Sequence, residues 1–109
     1  MRLTIDRRIW KRADEHMESM DSLLLDGEGP RKQCCVGIYL SALGVPDEEL
    51  DGFGTVDIVD DVPEEAEWLY EWGSVLYEVN DTKGPGAERE ARVASIFLAK
   101  GKVEVEFTG

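Results

Sequence analysis

The residues best suited to nucleophilic chemistry are two adjacent cysteines, Cys34 and Cys35. A catalytic thiolate needs a lowered pKa, which a helix N-terminus and neighbouring cations can supply. Arg31 and Lys32 stand just before the pair. Free cysteine is also a small apolar residue that is common in protein interiors. We therefore interpret both cysteines as packing residues and keep a small thiol enzyme as the third functional hypothesis.

Metal and phosphate chemistry find little support in the residue spacing. A structural zinc site needs about four nitrogen or sulfur ligands, and the chain offers only Cys34, Cys35 and His16. The acids between residues 57 and 65 could bind Mg²⁺ or Ca²⁺ through oxygen, but they lack the EF-hand spacing. The glycines do not follow a Walker or dinucleotide-binding pattern. We therefore predict no catalytic residue, no metal and no cofactor.

Charge is the most informative property of this sequence. The chain has 12 basic and 24 acidic residues, which gives a formal net charge of −12. The segment from Cys34 to Thr82 contains thirteen acids and neither Lys nor Arg, so it accounts for this excess. Unbalanced like charges repel one another, which costs stability. One explanation is solubility alone. The other is a surface complementary to a basic partner, such as the nucleic-acid groove of an enzyme.

Eleven acids of this segment are the predicted partner-binding residues, and we call them together the acidic face. They are Asp47, Glu48, Glu49, Asp51, Asp57, Asp60, Asp61, Glu64, Glu65, Glu67 and Glu71. The partner is expected to be the basic surface of another protein. Because such a negative surface repels phosphates, we expect no direct binding to nucleic acid.

A buried helix near residues 32–43 is the element expected to organise the chain. Nearly every residue from Cys34 to Leu43 is apolar, and Gly44 is typical of a helix end. Pro46 and Pro63 each precede acids, a pattern that predicts a helical turn and a longer helix. Residues 87–100 have the apolar spacing of a further helix.

The remaining elements complete a small α+β fold. Leu3 and Ile5 alternate with polar residues, as do Val103, Val105 and Phe107, so both ends of the chain predict strands. We expect one domain over residues 1–109, with two to three short antiparallel strands, first and last paired, packed with about three helices. No apolar run approaches membrane-spanning length, and the N-terminus lacks a signal-peptide pattern. A cytoplasmic protein without membrane contact is therefore predicted, and the sequence leaves its oligomeric state open.

Several short segments support a family resemblance. They are Lys32-x-Cys34-Cys35-x-Gly37, Asn80-Asp81, Glu88-Arg89-Glu90 and Gly101-x-Val103-x-x-x-Phe107. In these segments the chain resembles a group of short uncharacterised proteins encoded by bacteriophages and prophages. The resemblance implies a phage accessory protein that acts in the bacterial cytoplasm, a class that commonly binds and blocks host machinery, including defence systems. It assigns no functional residue.

The leading hypothesis is a non-enzymatic phage protein that binds and inhibits a host protein through the acidic face. Such a protein would act in anti-defence, like an anti-CRISPR protein or a nucleic-acid mimic. The alternative is a small-ligand or nucleotide-signal binding protein that uses Arg7, Arg8, Arg31 or Lys32 with an aromatic wall. Salt distinguishes the two, because binding through exposed charges weakens steeply as ionic strength rises.

Overall fold

The computed structural model describes residues 1–11, 24–25, 32–51, 62–81 and 86–109. In chain order, the elements are β1 (Arg2–Asp6), α1 (Cys35–Ala42), α2 (Asp47–Leu50), a 3₁₀ helix (Glu64–Ala66), α3 (Leu69–Asp81), α4 (Gly86–Gly101) and β2 (Glu104–Thr108). The predicted α+β class is therefore confirmed. The loop or frayed helix expected at 13–22 and the extended segment expected at 56–59 lie outside the described residues.

The first and last strands pair, as predicted, but the predicted antiparallel direction is wrong. β1 and β2 form a two-stranded parallel sheet in which Leu3 lies opposite Val105 and Ile5 opposite Phe107. Alternation of apolar residues identifies a buried strand face but carries no information about direction. A parallel pair requires a long crossover connection between its strands. Here residues 7–103 form that connection.

Helix α1 begins at Cys35, three residues later than the predicted start at residue 32. Gln33 instead pairs with the chain after β1: its N–H donates to the Ile9 carbonyl at 2.9 Å. The Lys11 N–H donates to the Gln33 carbonyl at 2.7 Å. These long-range bonds hold Gln33 in an extended conformation, so the helix forms only after it. Gly44 ends the helix as predicted, with a φ of 96° that glycine adopts without strain.

The segment around Leu24 packs directly against α1. Leu24 and Leu25 are buried, and Leu25 forms a parallel bridge with Asp51. A Cβ atom on Gly37 would overlap the Leu24 carbonyl group. Glycine at position 37 therefore allows the closest approach between α1 and this segment.

An aromatic cluster joins α1 to the start of α3 and to α4. The ring of Phe97 lies 5.3 Å from that of Tyr39 and 5.4 Å from that of Trp68, both in edge-to-face geometry. Such pairs contribute about 0.5–1.5 kcal/mol beyond the burial of their area. Trp72 of α3 is half-buried, and the Lys100 ammonium lies 4.2 Å from its ring centroid.

Candidate functional site

The first part of the acidic face is formed by α2. Asp47, Glu48 and Glu49 occupy its first turn, where carboxylates are favourable because the helix N-terminus carries partial positive charge. Leu50 is fully buried and anchors this turn in the core. The acidic side chains therefore face water: Asp47, Glu48 and Asp51 are exposed, and Glu49 is half-exposed.

The second part surrounds the 3₁₀ helix and the beginning of α3. Glu64, Glu65, Glu67 and Glu71 are all exposed, whereas Ala66 is fully buried. The pattern repeats that of α2, with a buried apolar residue among outward-facing acids. The remaining predicted members, Asp57, Asp60 and Asp61, lie outside the described residues.

Helix α1 supports both parts of the acidic face. Its Tyr39 hydroxyl donates to the Glu65 carbonyl at 2.9 Å and accepts from the Trp68 indole N–H at 3.2 Å. Burial raises the pKa of Tyr39, which keeps the hydroxyl protonated and able to donate. At its other end, α1 continues into α2 through residues 43–46. The part around the 3₁₀ helix is thus attached to α1 by the Tyr39 side chain, and the part on α2 is attached by the connecting backbone.

Most of the acidic face lacks a neutralising partner within the described part of the chain. Six of its carboxylates form no ion pair with any residue described: Glu48, Glu49, Glu64, Glu65, Glu67 and Glu71. Cations of the N-terminal segment pair instead with carboxylates outside the acidic face. Arg7 contacts Glu90 at 2.8 Å, and Arg8 contacts Asp6 at 2.9 Å. These six negative charges are therefore not balanced by an ion pair within the described part of the chain.

The basic residues proposed for ligand binding are engaged in contacts of their own. Arg7 donates two hydrogen bonds to the Glu90 carboxylate, at 2.8 and 3.0 Å. Arg8 makes an equivalent pair with Asp6, and these bonds lower the pKa of Asp6. The Lys32 ammonium donates to the Arg8 carbonyl. Arg31 lies outside the described residues.

Both cysteines are inaccessible to solvent. Cys34 is the N-cap of α1, where its Sγ accepts from the Gly37 N–H at 3.4 Å. Burial raises the pKa of Cys34 to about 12 and that of Cys35 well above its ordinary value. The helix N-terminus therefore does not produce a thiolate here, because desolvation outweighs it. These observations favour the packing interpretation.

Two buried polar residues organise the site from within, and the sequence analysis missed them. Asn80, interpreted from sequence as part of a chain break, lies in α3 and is fully buried. Its Oδ1 accepts from the Trp10 indole at 2.6 Å and from the Cys35 N–H at 3.2 Å. Gln33 is also buried and donates to the Leu24 carbonyl at 3.1 Å. One sequence signal could have predicted that Asn80 is buried. It lies four residues after Leu76, so both side chains are on the same, buried face of α3.

The search for a metal site or a membrane helix gives negative results over the part of the chain that is described. No group of three His, Cys, Asp or Glu side chains there could hold a metal ion. No helix among those residues is long and apolar enough to cross a membrane. His16, considered above as a ligand, lies outside them.

Comparison of the chain with known protein families, curated proteins and solved structures finds no match. The resemblance to phage proteins therefore stays a prediction.

Proposed function

We propose that this protein is a non-enzymatic phage accessory protein that binds and inhibits a basic host protein in the bacterial cytoplasm. The acidic face would be the contact surface. The observation that carries the proposal is the set of six glutamates that are not neutralised by any described residue. They lie on two helical segments, each anchored by a fully buried apolar residue, Leu50 or Ala66.

Electrostatics explains why such a surface suits an inhibitor. Like charges held close together destabilise their own fold, and a partner of opposite charge relieves that repulsion. Complementary charge also raises the rate of encounter and excludes wrong partners. Carboxylates on anchored helical turns could occupy the positions of phosphates in a nucleic-acid groove. A nucleic-acid mimic in anti-defence is the form of this proposal that agrees with the phage resemblance.

The proposal is tested by reversing charge in both parts of the acidic face. The variant Glu48→Lys with Glu64→Lys changes one exposed residue in each part. The matched control is Glu78→Lys with Glu88→Lys, which also changes two exposed glutamates. Because Lys100 contacts Trp72, the end of α4 lies beside the start of α3. Glu78 and Glu88, at the opposite ends of these helices, are therefore remote from the 3₁₀ helix.

Tagged wild-type protein and both variants are expressed in the bacterial host, and co-purified proteins are quantified by mass spectrometry. We expect a basic nucleic-acid-binding protein to co-purify with the wild type and the control but to be depleted about tenfold with the face variant. Melting temperatures of the three proteins show whether the variants fold. Equal recovery with both variants would mean that the acidic face serves solubility only.

A further inference from the structure

Strand β2 has one edge that no described residue pairs with. In a parallel ladder, alternate residues direct their N–H and C=O groups to the neighbouring strand. The Glu104 N–H donates to the Met1 carbonyl at 2.9 Å, so Glu104 and Glu106 turn their backbones toward β1. The backbone groups of Val105 and Phe107 point the other way. They accept or donate no hydrogen bond within the described residues.

A groove of about 620 Å³ runs along this edge of β2. Glu104, Val105 and Glu106 line it together with Arg2 of β1, whose guanidinium lies 3.7 Å from the Glu104 carboxylate. Successive side chains of a strand point to opposite faces, so residues from both faces of β2 border this groove. The groove therefore lies beside backbone groups that no described residue pairs with.

The opposite wall of the groove is apolar and comes from α4. Ala91, Ala94 and Leu98 line it, and the Leu98 side chain is exposed. The small alanine side chains leave room for a chain to lie between α4 and β2. The groove thus combines apolar surface on one side with β2 backbone groups on the other, for which the described residues supply no partner.

We propose that β2 binds an extended basic segment of a partner protein as a third strand. Backbone hydrogen bonds to Val105 and Phe107 would supply affinity, as in other cases of strand addition. Alternate side chains of the segment would face Glu104 and Glu106, which are exposed on the solvent side. Lysine or arginine at those positions forms favourable cross-strand pairs. The intervening side chains would pack on the apolar wall beside Leu98.

A second copy of this chain fits the edge poorly. If two β2 strands paired about a twofold axis with Val105 opposite Val105, each Glu104 would face a Glu106. A shift by two residues would place Glu106 opposite Glu106. Like charges directly opposite each other are destabilising, and each chain also carries a net charge of −12. The charges therefore select a basic partner strand.

This inference does not depend on the acidic face, and its test gives a separate answer. The probe is a synthetic peptide in which lysine alternates with valine, followed by backbone amide exchange at single-residue resolution. We expect exchange at Val105 and Phe107 to slow about tenfold or more when the peptide is bound. A peptide of equal charge with proline in place of valine cannot form the ladder. Any electrostatic contact of this control peptide with the acidic face should leave these two amides unprotected.

The matched protein variants are Val105→Pro and Thr4→Pro. Each removes an N–H that points away from the β1–β2 ladder, Val105 at the groove and Thr4 at the opposite edge. Val105→Pro should weaken binding of the lysine–valine peptide about tenfold, and Thr4→Pro should leave it unchanged. If Val105→Pro fails to fold, the exchange data on the wild type decide alone.

Three outcomes would overturn the proposal. Binding without protection of Val105 and Phe107 would show that the peptide is held by charge alone. Protection of both amides in dilute free protein would mean that this chain covers its own edge. Protection that grows with protein concentration in the absence of peptide would identify a second copy as the occupant.

Discussion

Asn80 is the side chain whose loss should damage this fold most. It makes four hydrogen bonds, to the Trp10 indole, the Cys35 N–H, the Lys11 carbonyl and the Asp81 carboxylate. It thereby connects α3 to the N-terminus of α1 and to the chain after β1. A net contribution of about 0.5–1.5 kcal/mol per bond predicts that Asn80→Ala loses roughly 2–6 kcal/mol. That is a large part of the roughly 5–15 kcal/mol typical of a whole domain.

Replacing Asn80 with aspartate should make the free energy of unfolding depend on pH, and the direction of that dependence can be derived. The carboxyl keeps the acceptor for Trp10 and Cys35 but places an oxygen where the amide donated to the Lys11 carbonyl, 2.9 Å away. Burial raises the pKa of the new carboxyl above its unfolded value of about 3.9. The folded state then binds the proton more tightly than the unfolded state. Stability relative to wild type should therefore fall as pH rises from the unfolded pKa to the folded pKa.

Urea unfolding, followed by tryptophan fluorescence, measures both effects. Wild type, Asn80→Ala and Asn80→Asp are compared at about pH 4.5 and about pH 7.5, each variant against wild type at the same pH. Ser74→Ala, an exposed change in the same helix, is the control and should stay within about 0.5 kcal/mol. A loss below about 1 kcal/mol for Asn80→Ala, or a pH-independent loss for Asn80→Asp, would refute the reasoning.

Two further predictions concern α1. Gly37→Ala should destabilise the protein by about 3 kcal/mol or more, because its Cβ would overlap the Leu24 carbonyl. Gly86→Ala, with no atom within 4 Å of the added Cβ, should be neutral or slightly stabilising in the same thermal melts. Cys34→Ala and Cys35→Ala should each cost roughly 1–3 kcal/mol through lost volume. Alkylation of the native thiols at neutral pH should be slow because both are buried; rapid labelling would favour the thiol-enzyme hypothesis.

Sequence patterns predicted those features whose physical causes lie within a few residues along the chain. Proline followed by acids marks α2 because both signals act within a single turn. Gly44 marks the end of α1 for the same reason, since the turn there needs a positive φ. The longer helix predicted to open at Pro63 instead begins as the 3₁₀ helix Glu64–Ala66, and α3 starts only at Leu69. The outward orientation of Glu48 and Glu64 follows from buried apolar neighbours that the sequence also displays.

Features that depend on distant contacts could not be predicted in this way. The late start of α1 results from hydrogen bonds between Gln33 and residues near Trp10, far away in the chain. The parallel direction of the sheet depends on the path of the whole connection between β1 and β2. Likewise, the attachment of the second acidic part to α1 depends on the bond from Tyr39 to Glu65. No periodicity in the sequence encodes that contact.

The salt dependence of association tests the central claim most directly. The measurement is the association rate constant between this protein and the host protein it co-purifies with, from about 50 mM to about 500 mM salt. Our account predicts a rate that falls steeply with ionic strength for the wild type and for Glu78→Lys with Glu88→Lys. For Glu48→Lys with Glu64→Lys it predicts a slower rate and a shallower slope. A rate that is independent of salt, or one equally steep for all three proteins, would contradict binding through the acidic face.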